Sequence, residues 1–290
     1  MAPVAEFEAR RVRMFGLAYR LLGSAEEAED AVQDAYLRWD RAERSAITHP
    51  DAWLTKVVTN LCLNRLTSAR ATRERYLGPW LPEPVLTDAL GPMETAEQRD
   101  SVSLAVLVLL EQLTPAERAV FVLRTAFGYG HGEIADAVDL SEANCRQLYR
   151  RASQRLAEHR PRFQPSRADR ERLSARFLAA ARDGDLPGLE ALLAEDVTSW
   201  ADGGGHHSVA LRPVTGRDRV ARYLIGGWRK VPGDLGFTFA DVNGGTGVLV
   251  TADGKLLAVL ALEFDGDLVA GLRIMANPEK LSHLRGLTGS

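Results

Sequence analysis

A chain of 290 residues, 46% hydrophobic and 26% charged with a net charge of -3, has the composition of an ordinary soluble protein and room for two or three domains. Two distant cysteines, Cys62 and Cys145, exclude a disulfide framework or zinc spacing and read as small buried thiols. The apolar stretch VSLAVLVLL at 102–110 is too short to span a bilayer, and MAPVAEFEARRVRMF has no leader-like apolar run, so the expected location is the cytoplasm.

Residues 4–70 read as successive helices. The first places Phe7, Val12, Phe15, Leu17, Tyr19 and Leu22 near one face and stops at Gly23. Ser24 with Glu27 three residues on is a capping box for a second helix. The helix after Pro50 turns Trp53, Leu54, Val57, Val58, Leu61 and Leu66 inward and leaves Lys56, Asn60, Asn64, Arg65 and Arg70 on other faces. Residues 77–95, LGPWLPEPVLTDALGPMET, hold four prolines and form a linker. Its Trp80, Leu81, Val85 and Leu86 are more than a tether needs, so it is expected to dock on something.

Helices resume at 96–160. Thr114 and Pro115 open one of them as N-cap and first helical residue. Next comes a short helix with Ile134, Ala135 and Val138 inward, a three-residue turn, and a helix capped by Ser141 with Cys145, Ala152 and Leu156 inward. This is helix-turn-helix grammar. Asn144, Arg146, Gln147, Arg150 and Arg151 face outward, as a recognition helix requires. Residues 143–162 hold six arginines against Glu158 alone, a local basic face that the acidic net charge conceals. The plainer alternative is a solvated surface helix.

Beyond residue 165 glycine becomes frequent. Two helices are expected in 168–195 and one in 216–229, followed by an antiparallel meander from LGFTFADV, TGVLVTAD, KLLAVLALEF and LVAGLRIMA, an α+β domain. Between them SWADGGGHHS, at 199–208, resembles the floor of an active site, with Asp202 and His206 or His207 as an acid/base pair. Three consecutive glycines support catalysis poorly and suit the close approach of another chain. The favoured reading is therefore not an enzyme but a dock for WLPEP, with a protonated His206 pairing with Glu83. A pocket holding a small-molecule ligand is compatible with such a dock. No catalytic residue, cofactor or metal is expected.

Residues 4–160 resemble an extracytoplasmic-function (ECF, group IV) sigma factor of bacterial RNA polymerase. AEEAEDAVQDAYLRWDRA looks like the sigma-two helix that grips the β′ coiled coil, AWLTKVVTNLCLNRLTSARATRER like the segment that melts and reads the minus-ten element, and the helix-turn-helix like sigma four, which reads the minus-thirty-five element. The resemblance implies RNA polymerase core (β and β′ subunits) and promoter DNA as partners. Gln33, Asp34, Leu37 and Arg38 would contact polymerase. Lys56, Asn60, Asn64, Arg65, Arg70, Asn144, Arg146, Gln147, Arg150 and Arg151 would contact DNA, with Arg73 and Arg75 as further phosphate contacts. Residues 168–285 resemble a SnoaL-like polyketide-cyclase cone carried by the sigma-J type. Its hallmarks stand here as Trp80-Leu81-Pro82-Glu83-Pro84, Asp202-Gly203-Gly204-Gly205-His206 and Asn277-Pro278-Glu279-Lys280-Leu281. His206 replaces the usual basic residue and Glu279 the usual Asp.

The expected architecture is thus multi-domain: two all-α sigma domains, 1–76 and 96–162, the linker 77–95 between them, and the α+β domain at 168–285. The competing functions are a one-component helix-turn-helix regulator with a ligand-binding domain, and a bifunctional protein with cyclase-like activity.

Overall fold

The computed structural model describes residues 3–73, 76–93, 95–157, 165–206 and 209–287. The chain forms two compact units. One joins Met1–Arg75 to Val85–Arg160, and the other joins Tyr76–Pro84 to Pro161–Ser290. The Pro-rich segment expected as a single linker is therefore divided at Pro84.

The first unit is helical: α1 (Pro3–Leu22), α2 (Ala25–Arg41), α3 (Pro50–Arg73), α4 (Ala96–Asp100), α5 (Leu104–Leu110), α6 (Pro115–Phe127), α7 (His131–Val138) and α8 (Glu142–Ala157). The start signals act as the sequence implies. Ser24 Oγ accepts from Glu27 N–H at 3.1 Å, and Thr114 with Glu117 makes a reciprocal capping box behind Pro115. Val12, expected inward, is 47% exposed.

One hydrophobic core runs through all of this unit, from Met14, Leu17 and Trp39 to Leu107, Val120, Ile134 and Leu148, so the two expected helical domains share an interior. Val85 and Leu90 are buried in it too. Two buried arginines tie the helices together. Arg118 donates from Nε to Leu110 O (3.0 Å) and from Nη1 to Leu21 O (2.6 Å), satisfying last-turn carbonyls of α5 and α1, and pairs with Glu111. Arg20 donates to Ser101 Oγ (2.9 Å) and Gly16 O (2.9 Å) across the Phe127 ring, and burial lowers its pKa to about 10.

The second unit contains α9 (Arg167–Asp183), α10 (Leu186–Ala191) and α11 (Arg217–Trp228) with a six-stranded sheet. Its strands are β1 (Leu193–Asp202), β2 (Val214–Thr215), β3 (Leu235–Val242), β4 (Gly245–Ala252), β5 (Lys255–Asp265) and β6 (Leu268–Met275), in the order β2-β1-β6-β5-β4-β3. Phe177 and Leu178 of α9 and Val220 and Leu224 of α11 form one core with Val197, Val248, Val250, Leu260 and Leu272 of the sheet. The four later strands form the expected antiparallel meander. The second helix of 168–195 is shorter than expected, because the chain enters β1 at Leu193. Exposed Glu195 and Asp196 interrupt the alternation that would have marked that strand. β1 runs parallel to β6, with Asp202 opposite Met275, so the loop after β1 and the tail after β6 leave the sheet side by side.

Gly16 allows a close approach in the helical core. A Cβ there would lie 2.7 Å from Leu90 O and 3.0 Å from the Arg20 guanidinium. Gly→Ala in a helix ordinarily gains about 0.5–1 kcal/mol, but overpacking costs about 1–3 kcal/mol. Gly16→Ala is expected to lose about 1–2 kcal/mol net in urea unfolding of the whole chain.

Candidate functional site

The helix-turn-helix consists of α7, a three-residue turn and α8. Asp139 caps α7 in the left-handed conformation (φ 54°), and Ser141 Oγ accepts from Asn144 N–H at 3.2 Å to start α8. Cys145, Leu148, Ala152 and Leu156 fix the inner face of α8. Arg146, Gln147, Arg150 and Arg151 are exposed and Asn144 is half-buried. Arg146 pairs with Glu142 on its own helix. Arg151 Nε lies 3.4 Å from Glu117 Oε1 and Arg155 Nη1 lies 3.1 Å from Glu117 Oε2. Burial opposes the charge of Glu117, yet the Thr114 N–H and hydroxyl, with Arg155 and Arg151, outweigh it and hold the carboxyl below its usual range.

On α2, Gln33, Leu37 and Arg38 are exposed. Asp34 and Arg65, expected to meet separate partners, meet each other instead: Arg65 Nη2 donates to Asp34 Oδ2 at 2.6 Å while Nη1 donates to Glu27 O at 2.8 Å. Arg65 is therefore a strap between α3 and α2. Lys56 Nζ donates to Asp139 Oδ1 at 2.6 Å, so a residue expected on DNA is held by the helix-turn-helix turn. Asn64 is exposed and Asn60 half-buried on α3. Trp53 packs on Trp39, with ring centroids 5.7 Å apart, in keeping with a core role. The side chains of Arg70 and Arg73, together with Arg75, Arg160, Arg162 and His207, lie outside the described residues.

In the second unit the segment 76–84 is held by the two neighbouring strand ends. Asp202, 1% exposed at the end of β1, accepts four hydrogen bonds. Tyr76 Oη (2.6 Å) and Gly204 N–H (3.1 Å) donate to Oδ1, and Leu81 N–H (2.9 Å) and Lys280 Nζ (2.8 Å) donate to Oδ2. A carboxylate offers about four lone-pair sites, and all are used. Lys280 also donates to Leu81 O at 2.6 Å, 4.3 Å from the Trp80 ring centroid and 4.8 Å from that of Tyr76. Both polar groups of the Leu81 backbone are thus gripped. His283 Nε2 meets Pro84 O at 2.8 Å. Desolvation first, then the bond to Asp202, pushes the Tyr76 phenol pKa up, so it stays a donor. Pro82 and Pro84 lack an N–H and can be buried without leaving a donor unpaired.

The glycines serve close approach. Gly204 (φ 59°) leaves no room for a Cβ, which would fall 2.4 Å from Asn277 Nδ2. Asn277 is itself held, donating to Tyr76 Oη at 2.8 Å and accepting from Glu279 N–H at 3.0 Å. At Gly205 (φ 79°) a Cβ would meet Leu77 at 3.4 Å. Gly203 O closes the turn by accepting from His206 N–H at 2.9 Å. The expected His206–Glu83 pair is not what forms: the carboxylate facing His206 is Glu279 of the tail, 3.6 Å away. With both partners more than half exposed, that pair adds little.

The family model for Sigma-70 region 2 matches residues 7–72, and that for Sigma-70, region 4 matches residues 103–156. The ECF RNA polymerase sigma factor SigJ of Mycobacterium tuberculosis is 38% identical over 292 residues, covering 96% of this chain and 93% of the relative. The chain belongs to the ECF RNA polymerase sigma factors. Probable ECF RNA polymerase sigma factor SigI of the same organism is 31% identical over 287 residues, covering 98% of this chain and 97% of the relative. The crystal structure of SigJ superposes with a TM-score of 0.73 at 35% identity, covering 96% of this chain and 98% of that one. α1–α3 are thus the sigma-two helices and α5–α8 the sigma-four helices of an ECF sigma factor.

Sequence reasoning missed Tyr76, assigned to sigma two, and His283, beyond the quoted tail motif. An aromatic residue at the helix-to-linker junction was the available signal for Tyr76. Lys280→Met, which leaves the Asp202 charge buried without its cation, is expected to cost about 3–5 kcal/mol. Both it and Gly204→Ala should speed proteolytic cleavage between residues 76 and 84, read by intact mass, relative to the parent chain.

Proposed function

We propose that this sigma factor directs promoter-specific initiation by RNA polymerase under control of its own C-terminal domain, which acts by gripping the segment between sigma two and sigma four. One observation carries this reading: Asp202 and Lys280 bond both polar groups of the Leu81 backbone. The same segment links the two promoter-reading domains, which must lie apart along promoter DNA. A tethered domain acts at high effective concentration, so a modest change in the grip shifts the population of competent conformers. The helical unit supports the need for such control, since sigma two and sigma four share a core in it and Lys56 is bound to Asp139.

In this reading RNA polymerase core meets the exposed Gln33, Leu37 and Arg38 of α2. Promoter DNA meets Asn60 and Asn64 of α3, Lys56 once released, and the exposed face of α8. The C-terminal domain acts as a dock without catalysis, because Asp202, the carboxylate an acid/base mechanism needs, has all its acceptor sites occupied. A one-component regulator leaves the sigma-two match over 7–72 without a role. A small-molecule ligand for the C-terminal domain is a compatible second reading. It is favoured by Ser174 Oγ, Ser199 Oγ and Trp228 Nε1, which are buried there without a hydrogen-bond partner among the described residues.

The test is in-vitro transcription with core polymerase and a library of promoter fragments, comparing the full chain with one ending at residue 165. Both are expected to initiate specifically, at different levels. Equal output from the two would overturn control in cis, and no initiation by either would overturn the assignment of initiation.

A further inference from the structure

The capping-box glutamate of α6 does more than a cap requires. An ordinary one reaches back to the N-cap backbone and stays in water. Glu117 is 3% exposed, beneath α8. Its Oε2 accepts from Thr114 N–H (3.1 Å) and Thr114 Oγ1 (3.0 Å), which completes the cap. The same carboxylate then meets Arg155 Nη1 at 3.1 Å and Arg151 Nε at 3.4 Å, two side chains one turn apart on α8. Both arginines remain about half exposed. One buried anion therefore fixes the start of α6 and the posture of two cations on the basic face of α8.

We propose that Glu117 is a positioning residue for promoter binding, holding Arg151 and Arg155 in the posture in which they meet phosphates of the minus-thirty-five element. The inference rests on α8 being the recognition helix, as argued above. A long side chain immobilised only on binding loses rotamer freedom at that moment, and Glu117 removes this loss beforehand for two arginines. Phosphate contacts fix register and orientation on the duplex without reading sequence. Glu117 is thus expected to influence affinity evenly across minus-thirty-five sequences.

The direction of the effect separates this role from simple electrostatics. Removing a negative charge from a phosphate-facing surface strengthens attraction to DNA if charge alone matters. Releasing two ordered arginines weakens it. Glu117→Gln keeps the cap, since glutamine serves a capping box as well, and removes only the charge that holds the arginines. Thr114→Ala does the reverse, removing the cap while leaving the carboxylate beside the arginines.

The experiment measures binding of holoenzyme, formed from the full chain and core polymerase, to a promoter fragment recovered in the transcription assay, at several salt concentrations. Glu117→Gln is expected to bind about three- to tenfold more weakly, with a salt dependence shallower by about one phosphate contact. Thr114→Ala should bind closer to the parent, and Glu117→Gln should add nothing in an Arg151→Ala, Arg155→Ala background. Equal or tighter binding by Glu117→Gln, or an undiminished loss in that background, would overturn the positioning role. If Arg151→Ala with Arg155→Ala leaves promoter binding unchanged in the parent chain, the recognition-helix reading itself fails, a separate result.

Discussion

A carboxylate and an ammonium group buried together are costly unless every lone pair and proton finds a partner. Asp202 and Lys280 draw several of those partners from the segment 76–84. Of the four donors around Asp202, Tyr76 Oη and Leu81 N–H belong to that segment, and Lys280 meets Leu81 O and the faces of Trp80 and Tyr76 there. Take the segment away and the buried ion pair loses its contacts with Tyr76, Trp80 and Leu81. The domain and the linker are therefore each other's structural requirement. That mutual need makes the grip specific, because the segment offers a phenol, an indole and a backbone N–H and C=O in that order, with Pro82 and Pro84 bringing no unpaired donor.

The parallel pairing of β1 with β6 makes this possible. It brings together two loops 75 residues apart in sequence, the DGGGH turn and the NPEKL turn, and the positive φ of Gly204 lets Asn277 close over the turn. The helical unit shows the same economy with buried charge. Arg118 and Arg20 are buried because backbone carbonyls and a serine hydroxyl occupy their guanidinium groups, and Arg118 joins sigma-two α1 to sigma-four α5 through Leu21 O and Leu110 O. Separating sigma two from sigma four must break that bond to Leu21 and the Lys56–Asp139 pair. Under the proposed control in cis these contacts, like the linker grip, weigh on the equilibrium between closed and initiating forms.

Much of this was legible in the sequence because local physics wrote it there. Ser24, Thr114 and Ser141 announce helix starts, Gly23 a stop, and the three-residue turn before α8 a helix-turn-helix. The WLPEP, DGGGH and NPEKL segments stood out as a set through family resemblance, and the structure gathers all three around Asp202. What escaped was set by tertiary contacts. β1 was hidden because Glu195 and Asp196 are solvated at its exposed start. Arg65 looked like a phosphate ligand because nothing in the spacing of α3 reveals that Asp34 on another helix lies 2.6 Å away. His206 was matched to Glu83 by charge alone, whereas the turn that Gly203 closes carries it toward Glu279.

The most direct test of the central interaction is amide hydrogen exchange at Leu81 in the full chain, measured beside Asp202→Asn. The Leu81 N–H, bonded to a buried carboxylate, is expected to be strongly protected in the parent and to lose most of that protection in the variant. A Leu81 amide that exchanges in the parent at the rate of an unstructured chain would contradict it.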